Sequence, residues 1–330
     1  MKIGTDQYNT FDTMTMDCWN DRVYYEGKEF PAGHFAAEIL NFAGVIHDPL
    51  LERITVLTAL VDDLSTAEKS KRHDIAAQLK PLLHDTVSWL YTCPPFCYCE
   101  SQGAYEDLEH ALSEERLDRD YEEKEEHLPY LALSFCEPIL RILVAIYNFC
   151  LLIRAFEKKY LRRAKRRNAD AFAKAAHECF DEDDSFLILL EQMPFGGVEE
   201  FFSYPRVITG FKYFQDENDE EKWKTAQRVI CKRAIDFYVF DLMNGLHHGH
   251  APSQCQGCGR YFLTINGHIP KYCDGIAPQD NRYTCRQYGA MMHQKEQNKQ
   301  HPVYRLFNTR TDTIRKHHWR GKISDELRRE

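Results

Sequence analysis

Apolar residues recur at helical spacing along most of the chain, and the strongest such run lies at residues 131–167. Its apolar face, spaced at three and four residues, consists of Ile139, Ile142, Leu143, Ile146, Phe149, Cys150 and Ile153. Arg141, Asn148 and Arg154 interrupt the run, so it lacks the roughly 18 consecutive apolar residues that a membrane span needs. We therefore predict a central core helix here and no association with a membrane.

The same periodicity predicts further helices at residues 34–47, 50–64, 66–92, 169–180, 185–193 and 220–246. Pro81 predicts a break within the third of these helices. The last helix is supported by an apolar stripe that consists of Trp223, Ala226, Ile230, Ala234 and Phe237. Strand signals are sparse: residues 23–25 and 28–30 flank Glu26-Gly27, which indicates a small hairpin. The pattern as a whole predicts a mainly α, multi-helical fold.

Charge divides the chain into two parts. The whole chain carries a net charge of −9. Residues 251–330 contain 14 Lys and Arg and seven Asp and Glu, a net charge of +7, which leaves −16 for residues 1–250. We therefore predict an acidic helical domain at 1–250, followed at 251–330 by a small module with a basic helical tail. The basic module, unlike the acidic domain, has the charge that attracts nucleic acid.

Residues 255–285 contain the most specific motif. Cys255 and Cys258 form a Cys-x2-Cys-Gly knuckle, in which two thiolates grip one ion and Gly259 permits a left-handed turn. Cys273 and Cys285 supply two further sulfur atoms. Four thiolates in a tetrahedral array suit Zn²⁺, and a closed coordination shell favours a structural site over a catalytic one.

The segments around these cysteines predict the architecture of a zinc finger. Residues 261–263 are strand-like, a turn at Asn266-Gly267 would return the chain to Cys273, and Cys285 precedes a helical pattern. This order of knuckle, hairpin and ligand at a helix start is treble-clef-like, so the module is predicted to be α+β. Two alternatives stay open: an iron–sulfur cluster, or replacement of one cysteine ligand by His268 or His293.

Two weaker clusters are also candidates for metal binding. A second metal site could be formed, with a distant fourth ligand such as Cys18, by Cys93, Cys97 and Cys99. Three His-Asp doublets resemble those of helical metal-dependent phosphohydrolases, and their histidines are His47, His73 and His84. Incidental positions in a loop and on helix surfaces explain both clusters better than metal binding does.

The cysteines outside these clusters indicate the cellular compartment of the protein. Single cysteines within apolar helical patterns occur at Cys136, Cys150, Cys179 and Cys231. Buried free thiols of this kind are typical of proteins in a reducing environment. The first residues also lack the basic-then-apolar pattern of a secretory signal. We therefore predict a cytoplasmic protein.

The finger resembles a known family. Its segments Cys-x2-Cys-Gly-Arg-Tyr-Phe, Lys-Tyr-Cys-Asp and Thr-Cys-Arg-Gln-Tyr-Gly-Ala are similar to those of uncharacterised bacterial proteins, common in Firmicutes, catalogued as a domain of unknown function. Members pair a variable helical N-terminal region with this finger. It is also distantly similar to the CGNR-type finger of bacterial transcription regulators, although Arg-Gln-Tyr-Gly replaces Gly-Asn-Arg after the last cysteine. The resemblance implies zinc binding by Cys255, Cys258, Cys273 and Cys285.

We therefore expect a zinc-binding, non-enzymatic regulatory or accessory protein that contacts DNA or RNA through residues 251–330. The candidate phosphate contacts are Arg260, Lys271, Arg282, Arg286, Arg315, Lys316 and Arg320. Rings that could stack on bases are Tyr261, Tyr283, Tyr288 and Trp319. The sequence indicates no catalytic residue and no small-molecule substrate. Two alternatives stay open: a helical metal-dependent hydrolase that uses the His-Asp residues, and a protein-interaction adaptor whose finger is purely structural.

Overall fold

The computed structural model describes residues 13–45, 47–117, 130–184, 188, 205–216, 219–265 and 270–329. They form two compact units. The larger unit consists of the described parts of residues 1–253 and 261–269, and the C-terminal unit of the described parts of residues 254–260 and 270–330. The chain therefore leaves the larger unit for the knuckle, returns to it for one strand and then leaves it again.

Helices supply most of the larger unit. They are α1 (His34–Val45), α2 (His47–Thr66), α3 (Lys69–Leu90), α4 (Gln102–Ala111), α5 (Glu114–Leu117), α6 (Tyr130–Lys159), α7 (Ala169–Phe180) and α8 (Ala234–His247). The predicted break at Pro81 is wrong, because α3 continues through this residue. Pro81 is exposed, so water can hydrate the carbonyl group that its missing N–H leaves unpaired. The predicted helix at 185–193 falls almost wholly outside the described residues.

A five-stranded antiparallel sheet corrects the predicted fold class. Its strands are β1 (Met14–Trp19), β2 (Arg22–Tyr25), β3 (Lys28–Pro31), β4 (Val207–Asp216) and β5 (Asp219–Cys231), in the order β3-β2-β1-β5-β4. Two further strands, β6 (Ala251–Gln254) and β7 (Tyr261–Thr264), pair with each other. The prediction of a mainly α fold is therefore wrong, and the structure is mixed α/β.

Strand β5 shows why the helical pattern misled. Residues 220–231 were predicted as the first half of a helix, but they belong to β5, and α8 begins only at Ala234. The apparent helical stripe joins Ala226, which is buried, to Trp223, which is 68% exposed, so it is not one buried face. The strand is fixed by its neighbours instead, since Cys231 pairs with Met14 of β1 on one side and with Val207 of β4 on the other.

The hairpin predicted near the N-terminus is present as β2 and β3, with Tyr25 opposite Lys28. The two turn residues between them, Glu26 and Gly27, have φ values of 46° and 72°. Two positive φ values in succession characterise the two-residue turn whose twist matches that of paired strands. The Gly27 signal in the sequence therefore located this turn correctly.

Helix α6 is the central helix of the larger unit. All seven residues of its predicted apolar face are at most 3% exposed. The span Ala132–Arg163 is long and apolar enough to cross a membrane, but 67% of its most apolar window is buried inside the protein. That burial is what a core helix requires, and it supports the interpretation given to the sequence.

A buried carboxylate joins α8 to α1. Asp241 of α8 is fully buried, and its two oxygens accept hydrogen bonds from the backbone N–H groups of Gly33 and Ala36, each at 2.9 Å. These N–H groups lie at the N-terminus of α1, where no intrahelical acceptor is available and negative charge is favourable. Burial raises the pKa of Asp241 to about 6, although the backbone hydrogen bonds act in the opposite direction.

Two glycines allow the helices to approach closely enough for this cap. A Cβ atom on Gly245 would lie 2.8 Å from the Cα atom of Gly33 and 3.1 Å from the carbonyl oxygen of Ala32. Gly33 itself has a φ of 86°, which disfavours any side chain. The buried His250 then donates through Nδ1 to the same Ala32 carbonyl oxygen at 2.9 Å. The sequence analysis missed this junction.

We predict that Asp241 makes the larger unit less stable as pH rises. Because its folded-state pKa of about 6 exceeds the ordinary value of 3.8, the folded state holds the proton more tightly. This contribution to stability is present in full below the ordinary pKa and is lost as pH rises through the folded one. Between about pH 5 and pH 7 the loss amounts to roughly 1 kcal/mol.

The test compares urea unfolding of the wild type and Asp241→Asn at several pH values across that range. Any effect of the metal centre on stability is the same in both proteins, so it cancels when their free energies of unfolding are subtracted. We expect the stability difference between the two proteins to change by the stated amount with pH. Two stability curves that run parallel would contradict the assignment. The thiol of Cys18, whose own pKa burial raises to about 12, stays neutral throughout and does not contribute.

Candidate metal centre

Four cysteine sulfur atoms converge in the C-terminal unit. The Sγ atoms of Cys255, Cys258, Cys273 and Cys285 all lie within 4.8 Å of one another, and none of these cysteines forms a disulfide. The Sγ atoms of Cys258 and Cys273 are 3.6 Å apart. A tetrahedral metal ion with bonds of about 2.3 Å to sulfur separates its ligands by about 3.8 Å. The predicted ligand set therefore has the geometry to hold one metal ion.

The knuckle supplies two ligands and backbone donors for one of them. Gly259 adopts the expected left-handed conformation, with a φ of 75°, and its N–H group donates to the carbonyl oxygen of Cys255 at 2.9 Å. The N–H groups of Gly257 and Cys273 point at the Sγ atom of Cys255, at 3.4 and 3.3 Å. Burial opposes ionisation of this thiol, but backbone hydrogen bonds outweigh it and lower the pKa of Cys255 to about 7.

The other two ligands flank a short hairpin. Strands β8 (Ile276–Ala277) and β9 (Asp280–Thr284) lead into α9 (Cys285–Gln300), so Cys285 is the first residue of that helix, as predicted. Thr284 and Gln287 cap the helix reciprocally through their side chains. Burial raises the pKa values of Cys273, to about 11, and of Cys285. Both thiols therefore need a bound cation to ionise at neutral pH.

The hairpin of the finger is not the predicted one. The strand predicted at residues 261–263 exists as β7, but it pairs with β6 and belongs to the larger unit. The knuckle is therefore the loop between β6 and β7. The turn predicted at Asn266-Gly267 lies outside the described residues. Knuckle, hairpin and helix still follow one another in that order, with β8 and β9 between the third and fourth ligands.

One packing contact next to the sulfur atoms was missed. Gly289 of α9 lies directly against the ring of Tyr272, the residue before the third ligand. A Cβ atom there would come within 2.4 Å of the ring atom Cε2. The signal was available in the sequence, since an isolated glycine inside a helical pattern usually has a packing reason.

All seven candidate phosphate contacts are exposed, but they are not equivalent. Three form ion pairs within the C-terminal unit: Arg282 with Asp280 at 2.7 Å, Arg286 with Asp274 at 3.1 Å, and Arg315 with Asp312 at 3.7 Å. Exposed pairs of this kind are weak and exchange readily. The other four candidates, which have no such pair among the described residues, are Arg260, Lys271, Lys316 and Arg320.

The basic tail contains the helices α10 (Pro302–Trp319) and α11 (Asp325–Arg329). No described residue of α10 is buried. One side of it bears apolar residues separated by four and seven positions, Val303, Phe307 and Ile314, which are 67%, 63% and 44% exposed. Trp319 at its end is 88% exposed, whereas the suggested stacking ring of Tyr261 is buried in the larger unit and cannot meet a base.

Among the described residues, neither of the weaker clusters brings three or more potential metal ligands together. Within the part of the chain that the structure describes, the only group of three or more potential metal ligands is the four-cysteine group. The thiol of Cys93 donates to the Trp89 carbonyl oxygen and that of Cys99 lies 3.2 Å from the Tyr25 hydroxyl. The ring of His84 packs on Tyr105 with centroids 4.9 Å apart. The side chain of His47 and the whole of His268 lie outside the described residues.

We predict that Gly289→Ala weakens the metal centre. A methyl group at this position overlaps the Tyr272 ring, so the ring or the helix must shift, at a cost of about 1–3 kcal/mol. Competition with a chelator should show weaker metal retention, and Tyr272→Ala in the same chain should restore it.

The matched control is Gly103→Ala in α4, where nothing lies within 4 Å and a gain of up to about 1 kcal/mol in stability is expected. Unchanged metal retention in Gly289→Ala would contradict the contact.

Comparison with known proteins gives one match. The model of a family of unknown function (DUF6076) matches residues 203–330, so the expected resemblance to such a family is confirmed for this part of the chain. The matched region includes β4, β5 and α8 as well as the four cysteines, and is longer than the finger alone. No curated protein and no solved structure matches the chain. The C-terminal part of the chain is thus similar to a family whose function is open.

Proposed function

We propose that the four-cysteine group binds one structural Zn²⁺ ion. Thiolate ligands at near-tetrahedral separation suit Zn²⁺, and with four protein ligands no coordination position is left for water or substrate. Two of the ligand thiols are too weakly acidic to ionise alone, so the ion stabilises the folded unit by stabilising the thiolates. An iron–sulfur cluster is the alternative that elemental analysis would separate from zinc.

We predict one zinc ion per chain and its loss in Cys258→Ser. Binding free energy at such sites reaches on the order of 10–16 kcal/mol, so its loss should unfold the C-terminal unit while the larger unit keeps its helices. Elemental analysis measures the zinc, and circular dichroism follows the helices. Cys97→Ser is the matched control, because Cys97 is an exposed free cysteine of the larger unit. Iron in place of zinc, or full zinc content in Cys258→Ser, would contradict the proposal.

We further propose that the C-terminal unit contacts nucleic acid in a non-enzymatic regulatory or accessory role. The observation that carries this proposal is the exposed basic side of α10. Arg305 and Lys316 are eleven residues apart, which is close to three helical turns, and Arg320 follows four residues later at the end of the helix. These cations therefore share one side, roughly opposite the apolar residues. Cations spaced along one side of a helix suit a phosphate backbone.

The proposed contacts are mainly electrostatic. The net charge of +7 on residues 251–330 favours any polyanion, whatever its sequence. Trp319 adds one fully accessible ring beside Arg320, and the guanidinium of Arg282 lies 5.8 Å from the centroid of the Tyr283 ring. Stacking rings beside cations are typical of binding that tolerates many sequences. Affinity without strong sequence preference is thus expected.

We predict that Lys316→Glu with Arg320→Glu weakens nucleic-acid binding about tenfold or more, alike for all sequences. Fluorescence anisotropy of the full-length zinc-loaded chain would measure binding to duplex DNA, single-stranded DNA and RNA at two salt concentrations. Each lost phosphate contact should lower the slope of log K against log salt by roughly one. Arg141→Glu with Lys174→Glu is the matched control, because both residues are exposed on the larger unit and the charge change is equal. No binding of any nucleic acid at about 50 mM salt would rule the proposal out.

The apolar side of α10 favours a second candidate, a protein-interaction adaptor. Exposed apolar residues at helical spacing are the anchors that a groove in a partner protein recognises. The two candidates use opposite sides of one helix, so they can be separated. Phe307→Asp should abolish capture of a protein partner and leave salt-dependent nucleic-acid binding intact, whereas Lys316→Glu with Arg320→Glu should have the reverse effect.

A further inference from the structure

The larger unit contains a cavity that neither proposed role uses. It has a volume of about 530 Å³ and lies on the face of the five-stranded sheet that bears Asp17, Lys212 and Arg228. This volume falls in the range of small-molecule sites. Residues from all five strands and from the β2–β3 turn line it. We refer to it as the sheet cavity.

A charge network forms the floor of the sheet cavity. Asp17 of β1 is 7% exposed and accepts two hydrogen bonds from Arg228 of β5, at 2.7 and 3.0 Å. Its second oxygen also lies 3.0 Å from the Nζ atom of Lys212 on β4. Burial opposes ionisation, but the two cations outweigh it and lower the pKa of Asp17. One carboxylate thus holds two cations in place, both of which stay more than a third exposed towards the cavity side.

Three aromatic rings lie close to one another beside this charge network. Tyr24 lies on β2 and Phe214 on β4, three strand positions apart, which on a flat sheet would separate the backbones by about 14 Å. Their ring centroids are nevertheless only 5.6 Å apart, so the two side chains reach towards each other over the intervening strands. The ring of Trp19 is 6.5 Å from that of Phe214 and carries the ammonium group of Lys224 at 4.3 Å. The cavity therefore has apolar surface for a ligand as well as charge.

Apart from Asp17 on β1, which already pairs with Lys212 and Arg228, the charges of the cavity are separated by sign. The cations Lys212, Lys224 and Arg228 are all on β4 and β5, at one side of the sheet. The exposed carboxylates Glu26 and Glu29 are on the β2–β3 turn and on β3, at the other side. Glu29 lies 3.6 Å from Arg22, an exposed and therefore weak pair. A ligand that spans the cavity meets positive charge at one end and negative charge at the other.

We propose that the sheet cavity binds a short peptide with free ends, its carboxylate towards β4 and β5 and its ammonium group towards the β2–β3 turn. The cavity, at about 530 Å³, is larger than a free amino acid and has room for two or three residues, so a short peptide suits it better than a single amino acid. An apolar side chain at the centre would pack on the rings of Tyr24 and Phe214.

Calorimetry with the full-length zinc-loaded chain tests this assignment. The probes are the tripeptide Ala-Phe-Ala, its N-acetylated form, its C-terminal amide, and free phenylalanine. We expect binding of the free tripeptide, and binding at least about tenfold weaker for each of the other three probes. Equal affinity for the capped forms, or no heat from any probe at about 10 mM, would overturn the proposal.

Two side chains that are not buried provide variants that should fold normally. Lys224→Gln and Glu29→Gln each remove one charge from opposite sides of the cavity, and each should weaken binding of Ala-Phe-Ala about tenfold. The matched controls are Lys174→Gln and Glu178→Gln on α7, which neutralise the same residue types away from the cavity and should leave affinity unchanged. Loss of binding in only one of the two cavity variants would contradict a ligand that meets both sides.

Discussion

The C-terminal unit depends on four sulfur atoms because it has almost no apolar core. Among its described residues the buried ones are Cys255, Cys273, Ala277, Cys285 and Gly289, and three of these five are ligands of the metal ion that we propose. The larger unit, in contrast, buries whole faces of α1, α6 and α8. Apolar burial is the usual source of folding free energy, and where it is missing metal–thiolate bonding has to supply it. The same metal–thiolate bonds would also fix where the basic side chains next to the four cysteines lie.

The contrast between metal ligation and apolar burial explains which parts of the site could be predicted. Metal ligation requires particular residue types at short spacings, so the sequence alone located all four cysteines and the left-handed glycine after the knuckle. The partner of the strand that follows could not be found in the same way. Strand β7 satisfies its hydrogen bonds with β6, on the other side of the knuckle, and its Tyr261 is held by Asn41 of α1 in the larger unit. Those contacts leave no local pattern.

The same distinction between local and distant contacts explains which elements of the larger unit could be predicted. Helix α6 was predictable because its hydrogen bonds and its apolar stripe are both local. Strand β5 was not, because it lies between the neighbouring β4 and the distant β1, and its apolar positions also fit a helix. Asp241 left a recognisable signal that was not used, a lone carboxylate among Tyr238, Val239, Phe240 and Leu242. A charge in such a run is expensive to bury unless it has partners, and the cap on α1 is what makes it tolerable.

Helix α10 links the structure of the C-terminal unit to its proposed role. It lies beyond the last candidate metal ligand and has no buried residue, so little tertiary packing supports its helical form. Its helical form therefore gains stability from anything that covers either side, phosphates on the basic residues or a partner on the apolar ones. Binding would then select a conformation that the unbound tail populates only in part, and affinity would include the cost of ordering it. The zinc ion that we propose would fix the start of the tail through Cys285 and so reduce that cost without contacting the ligand.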